Sequence, residues 1–187
     1  MSKETARRVR IALVGNPNTG KTTLFNRLTG ARQKIGNYPG VTVEKKSGYW
    51  ESGGRTFTLV DLPGTYSLAA SSPDERVALD FLAGHLDSEE KPDGVVCVVD
   101  ASNVVRNLFL ASQVADLGLP MVIALNMADA ADRAGISIDP ALLSRRLGVP
   151  VVRMVATRGE GIDALGHAVV QAVDHGALMA QVPWPEA

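Results

Sequence analysis

The chain has 187 residues, of which 45% are apolar and 21% charged, with a formal net charge of -1. A chain of that size buries a core as one domain without a metal or disulfide to staple it. Its charge balance excludes a disordered polyelectrolyte and gives no bulk attraction to nucleic acid.

The N-terminal stretch MSKETARRVRIALVG places positive charge ahead of apolar residues that run only from Val9 to Val14, with no small-residue cleavage pattern. It reads as a polar lead-in to a strand, not as a signal peptide. No apolar run approaches the roughly 20 residues needed to cross a bilayer, so this piece is expected to work in water. Short β-rich runs then recur with helical stretches between them: RVRIALVG, RTFTLVDLPG, GVVCVVDAS, PMVIALNMAD and VPVVRMVA. The alternation predicts an α/β fold with a mostly parallel six-stranded sheet and helices on both faces. Helices are expected over 21–28, 73–86, 104–117, 140–147 and 162–173. In VEKKSGYWESGGRTFTLVD, two strand-like runs meet at Ser52-Gly53-Gly54. Adjacent glycines supply the positive φ of a tight hairpin, so one strand is expected to run antiparallel at an edge. The single cysteine, Cys97, sits inside GVVCVVD, where a small buried side chain is expected. A lone cysteine makes no internal disulfide, which fits a reducing intracellular setting.

Directly after the first strand comes GNPNTGKT, followed by the helical TLFNRLTG. Glycine, any four residues, then glycine-lysine-threonine, in a strand-loop-helix context, is the P-loop pattern. Backbone N–H groups and the helix N-terminus surround an anion there, and Gly20 lets the backbone approach closely. Gly15, Asn16, Pro17, Asn18, Thr19, Gly20, Lys21, Thr22 and Thr23 are therefore the expected phosphate-binding residues. Lys21 is expected to reach the β- and γ-phosphates, and Thr22 to offer its hydroxyl to Mg2+. DLPG ends a later strand, so Asp61 is expected to hold Mg2+ and the Gly64 amide to sense the γ-phosphate. NMAD ends another strand. Asp129 can accept from guanine N1–H and N2–H, an arrangement adenine does not offer, and Asn126 would brace the loop or meet N7. Each of the last two tetrapeptides alone is an ordinary strand end and turn; three elements in order on three strand ends point together to GTP.

At this point the chain resembles the translation-factor-like GTPases, whose first switch gives a threonine to the metal. Thr42, in NYPGVTVE, takes that place; the plain alternative is a surface threonine leading into a strand. More narrowly, GNPNTGKTTLFN, GNYPGVTVE, DLPGTYSL, SSPDERVALDFL and NMAD resemble the N-terminal G domain of the ferrous iron transport protein B family, over roughly Arg10 to Ala172. Met127 stands where most GTPases carry lysine, and the serine-proline-acid run follows DLPG. The resemblance implies a prokaryotic membrane protein whose GTPase domain lies on the cytoplasmic face and gates or drives Fe2+ passage through a transmembrane domain that this chain does not contain. It also implies that Asn18 helps bind K+, so that Lys21, Thr42, Gly64 and Asn18 together counter the charge of the transition state. Asn18 bonded only to its own loop is the alternative. Thr65 occupies the place where Ras-like proteins carry glutamine, so slow turnover with water held by backbone and solvent is expected. Val155-Ala156 stands where a serine-alanine pair usually makes the last guanine contact; the Ala156 N–H is expected to donate to guanine O6. Residues 1–176 read as the G domain and 177–187, ending in PWPEA, as a tail or cut point, with too little sequence for the helical domain that usually follows.

Two other classes compete. A ribosome-assembly GTPase acting on RNA would use a basic patch, and Arg7, Arg8 and Arg10 are the candidate; a solvated strand flank is the better explanation of them. A nucleotide sensor without useful turnover would share every motif. Homo-oligomerisation is left open. His85, His167 and His175 are scattered and read as surface residues, not iron ligands, while Asp74 and Glu75 suit a helix start.

Overall fold

The structure is a computed structural model, which describes residues 8–30, 32–86 and 89–180. The expected PWPEA tail and Arg7 lie outside the described residues. The strands are β1 (Arg10–Gly15), β2 (Gln33–Asn37), β3 (Glu44–Ser52), β4 (Arg55–Asp61), β5 (Gly94–Asp100), β6 (Met121–Asn126) and β7 (Val151–Arg153). They form one sheet in the order β2-β3-β4-β1-β5-β6-β7. The helices are α1 (Lys21–Thr29), α2 (Pro73–Ala83), α3 (Val104–Ala115), α4 (Ala128–Arg133), α5 (Pro140–Leu147) and α6 (Ile162–His175).

The central strands are continuous apolar runs because both faces are covered. Along β1, Ala12 and Val14 join a core with Phe81 of α2 and Leu110 and Val114 of α3. Ile11 and Leu13 turn the other way, onto Leu24 and Phe25 of α1 and Leu165 and Val169 of α6. This period-two division of one strand between two helical layers is what a parallel sheet requires. Cys97, in the middle of β5, is 1% exposed, as its setting predicted.

The sheet has seven strands where six were expected. The extra one, β2, is QKIGN, mostly exposed and without an apolar period, so it carries no strand signal of its own. It exists because it pairs antiparallel with the outer side of β3, from Gln33 opposite Gly48 to Asn37 opposite Glu44. The reversed strand, β3, is therefore second from the edge. Its hairpin to β4 closes at Ser52 opposite Arg55, across Gly53 (φ 57) and Gly54 (φ 73), as the paired glycines predicted. A β-carbon at Gly48 would lie 2.6 Å from Thr29 of α1, so only glycine lets this strand pass under that helix.

Helix ends differ from expectation where glycine decides them. α2 starts at Pro73 behind a Ser72 cap, whose hydroxyl accepts from the Glu75 N–H, and stops at Ala83 because Gly84 turns left-handed at φ 78. α6 runs on to His175, where Gly176 stops it at φ 67. Beyond it, the Ala177 carbonyl accepts from the Met121 N–H at 2.9 Å, the Ala180 N–H donates to the Leu147 carbonyl at 2.7 Å, and Met179 is buried. No helix of the described residues is long and apolar enough to cross a membrane.

Burial pushes the Cys97 thiol up to about 12. The native chain is expected to resist thiol reagents in mildly alkaline buffer and to titrate its one thiol after denaturation, counted by absorbance. Stoichiometric labelling of the native chain would show β5 to be open.

Candidate functional site

The sheet reverses its order at β1, with β4 on one side and β5 on the other, and the loop after β1 opens at that switch point. Residues 16–20 turn there before α1 begins. Asn18 and Gly20 are left-handed, at φ 66 and 80, which turns this short loop over before the helix. A β-carbon on Gly15 would lie 2.7 Å from the Val98 carbonyl, and one on Gly20 only 2.4 Å from Asn126 Nδ2. Both glycines are thus fixed by backbone or side-chain contact. The Thr19 hydroxyl donates to the Asn16 carbonyl at 2.9 Å. Asn16 is 3% exposed, and both polar atoms of its side chain are buried with no hydrogen-bond partner among the described residues.

Two adjoining clefts open beyond the loop. One, of about 530 Å³, is lined by Pro17, Asn18, Gly20, Lys21, Thr22, Thr23, Gly64 and Met127. The other, of about 270 Å³, is lined among others by Lys21, Thr22, Val43, Glu44, Lys46, Asp61, Gly64 and Asp74. Lys21 and Asp61 meet at their junction, where the buried Lys21 ammonium donates to Asp61 Oδ1. Burial pushes the Asp61 carboxyl up, and the Lys21 charge only partly pulls it back. A cleft with a buried lysine, an amide-lined turn at a helix N-terminus and a carboxylate beside a threonine fits a phosphate chain with a divalent ion.

The far end is organised by Asn126. Its Nδ2 donates to the Thr19 carbonyl at 2.9 Å, and its Oδ1 accepts from the Ala156 N–H at 2.9 Å. One side chain therefore ties the P-loop, the end of β6 and the loop after β7. The Ala156 N–H, which the sequence reading turned toward guanine O6, donates here to Asn126 and braces the loop. Met127 is left-handed at φ 59 and caps α4, whose first turn carries Asp129. Partial desolvation of Asp129 acts to raise its pKa, but hydrogen bonds from Arg133 and Arg158 outweigh it and hold the carboxyl below the ordinary range.

The structure does not gather Thr42 as expected. It is exposed, beside Val43 and Glu44, which line the smaller cleft. Thr65 is 3% exposed, and its hydroxyl donates to the Ser67 carbonyl at 2.6 Å, so it is turned inward. The RNA-patch arginines are engaged within the chain: Arg8 lies 4.8 Å over the Tyr49 ring, and Arg10 donates to Glu89 at 2.9 Å. His85, His167 and His175 are exposed. Sequence reasoning missed the arginines around Asp129. The four-residue spacing from Asp129 to Arg133 was a legible helix pair; nothing local announces Arg158.

Fold and site together define a P-loop GTPase domain. The profile described as ferrous iron transport protein B matches residues 9–169. The chain belongs to that family. It is 51% identical over 168 residues to the Fe(2+) transporter FeoB of Salmonella typhimurium, covering 87% of this chain and 21% of that protein, so the chain spans about a fifth of its relative. The cytosolic domain of L. pneumophila FeoB superimposes with a TM-score of 0.87 at 41% identity, covering 96% of this chain and 68% of that one. The cytosolic domain of T. maritima FeoB in its GMPPNP form gives 0.87 at 39% identity, covering 95% and 69%.

Replacing Asn126 with alanine leaves the Thr19 carbonyl and the Ala156 N–H unpaired. A loss of about 2–4 kcal/mol in urea denaturation is expected, for two buried hydrogen bonds.

Proposed function

We propose that this chain binds and hydrolyses GTP, and that within a longer protein it lies on the cytoplasmic face of the membrane and regulates or drives Fe2+ passage through a transmembrane domain. The observation that carries the nucleotide reading is the Asn126 bridge, which ties the P-loop at Thr19 to the loop after β7 at Ala156 and starts the NMAD segment that carries Asp129. The GMPPNP form of the T. maritima relative supports it, and membership of the family supports the transport role. Residues 1–176 are taken as the G domain. A soluble ribosome-assembly role finds no support, since Arg8 and Arg10 are already engaged.

In this reading Lys21 exchanges Asp61 for the β- and γ-phosphates as the nucleotide enters. The P-loop amides take the phosphate oxygens, and Gly64, which lines both clefts, offers its N–H to the γ-phosphate. Thr22, Asp61 and, after a movement of the segment that carries it, Thr42 would hold Mg2+, which when bound neutralises phosphate charge. Asn18, exposed on the rim of the larger cleft, would help hold K+, which supplies the cationic charge an arginine finger provides elsewhere. With Thr65 turned inward, water is positioned by backbone and solvent, and intrinsic turnover is slow. The roles of Asn16, Pro17, Thr19, Gly20 and Thr23 are to shape and line the phosphate turn.

GTP turnover is expected to rise in KCl over NaCl, measured by phosphate release, and Asn18→Ala is expected to remove the difference. Equal rates in both salts would end the role given to Asn18. Asp129→Asn is expected to move preference from guanosine to xanthosine nucleotides in a competition assay, because the amide presents a donor where the carboxylate only accepted. Since the folded Asp129 titrates below the ordinary range, the preference for GDP over ADP, in which the titration of the phosphates cancels, is expected to stay flat from neutral pH down to about pH 5 and to fall only as the pH drops through that lowered value.

A further inference from the structure

Asp129 Oδ2 accepts two hydrogen bonds, from Arg133 Nη1 at 3.0 Å and from Arg158 Nη2 at 3.1 Å. The two arginines differ in where they come from. Arg133 sits one turn along the same short helix, 69% exposed, and can hold the carboxylate only relative to α4. Arg158 belongs to the loop between β7 and α6, 29 residues away in sequence. That loop is itself anchored. Arg27 of α1 donates through Nε to the Ala156 carbonyl at 3.3 Å and through Nη2 to the Thr157 carbonyl at 2.5 Å. Val155 and Glu160 exchange two backbone hydrogen bonds of 3.2 Å each, and Arg158 Nη1 donates to Glu160 at 3.3 Å. The guanidinium that meets Asp129 is thus carried on a closed turn bolted to the P-loop helix.

Resting on the guanine-nucleotide reading above, we propose that Arg158, on a loop anchored by Arg27, is a positioning residue that fixes the Asp129 carboxylate for two-bond recognition of the purine. A carboxylate has about four acceptor sites. Two are taken on Oδ2, which leaves Oδ1 to receive guanine N1–H and N2–H together. Two bonds that converge on one oxygen require a fixed carboxylate, whereas a single bond tolerates rotation. Loss of the fixing contact therefore removes the second bond first. The plain alternative is a surface ion pair: Arg158 is 55% exposed, and such pairs contribute little to folding. The two readings separate in base preference, not in stability.

The test measures GDP and IDP affinities by competition with a fluorescent guanine nucleotide, for the wild-type chain and for Arg158→Ala, Arg158→Lys and Arg27→Ala. Inosine lacks the 2-amino group and makes only the N1–H bond, so it is the internal control. Arg158→Ala is expected to weaken GDP about tenfold and IDP by no more than about twofold, which narrows the preference for guanosine. Arg27→Ala shifts the preference in the same direction by a smaller factor, Arg158→Lys recovers part of it, and each melting temperature moves by no more than about 3 °C. Equal losses for GDP and IDP, or an unchanged preference in Arg158→Ala and Arg27→Ala, would overturn the proposal while the nucleotide reading stands. A wild-type chain that binds neither nucleotide overturns both.

Discussion

The pairing of Lys21 with Asp61 is the constraint on which the site depends. Two charges sit at the carboxyl end of the sheet with side-chain exposures of 9% and 7%, and neither would survive there alone. They meet because β1 and β4 are parallel neighbours, with Leu13 opposite Asp61, and because the turn after β1 brings Lys21 to the start of α1 beside that strand end. Burial still disfavours the Asp61 carboxylate more than the ammonium favours it. Phosphate oxygens would take the lysine, and a divalent ion would take the carboxylate.

The same sheet edge supplies the second half of the frame. β5 is the parallel neighbour of β1, and β6 that of β5, so the end of β6 lies on the same side of the sheet as the phosphate turn, and Asn126 reaches Thr19 from it through its side chain. Its other side-chain atom reaches Ala156 beyond β7. Phosphate binding and base reading are hence not independent modules. A change at Gly20 pushes on Asn126, and a change at Asn126 loosens both the P-loop and the loop that carries Arg158. Around that frame, Thr42 and Gly64 are themselves exposed, while Val43, Leu62 and Thr65 beside them are buried.

Much of this was legible in the sequence, and the reasons are specific. β5 and β6 are continuous apolar runs because helices cover both their faces. The paired glycines at 53 and 54 announced a hairpin that closes at the expected pair. By contrast, β2 is polar and exposed, and it is a strand only because β3 offers it an unpaired edge. The short helix α4 was missed because its six residues follow a strand end and a left-handed Met127 that no local pattern marks. Within the site, Lys21, Asp61, Asn126 and Asp129 were identified from motif spacing, and the structure brings them to one end of the sheet. Ala156 was assigned a donor role toward the base, and the structure gives its N–H to Asn126. Thr42 was assigned to the metal, but its segment holds it exposed.

The sequence by itself determined the alternation of strands and helices, the anion-binding turn and the order of the motifs, because these rest on local periodicity and backbone freedom. Only the tertiary structure decided which groups share an atom: Asn126 between two loops, and Arg133 and Arg158 on one oxygen of Asp129, with Arg27 behind the loop. Those contacts join residues far apart in the chain, and their energies depend on burial and distance, which no local pattern encodes.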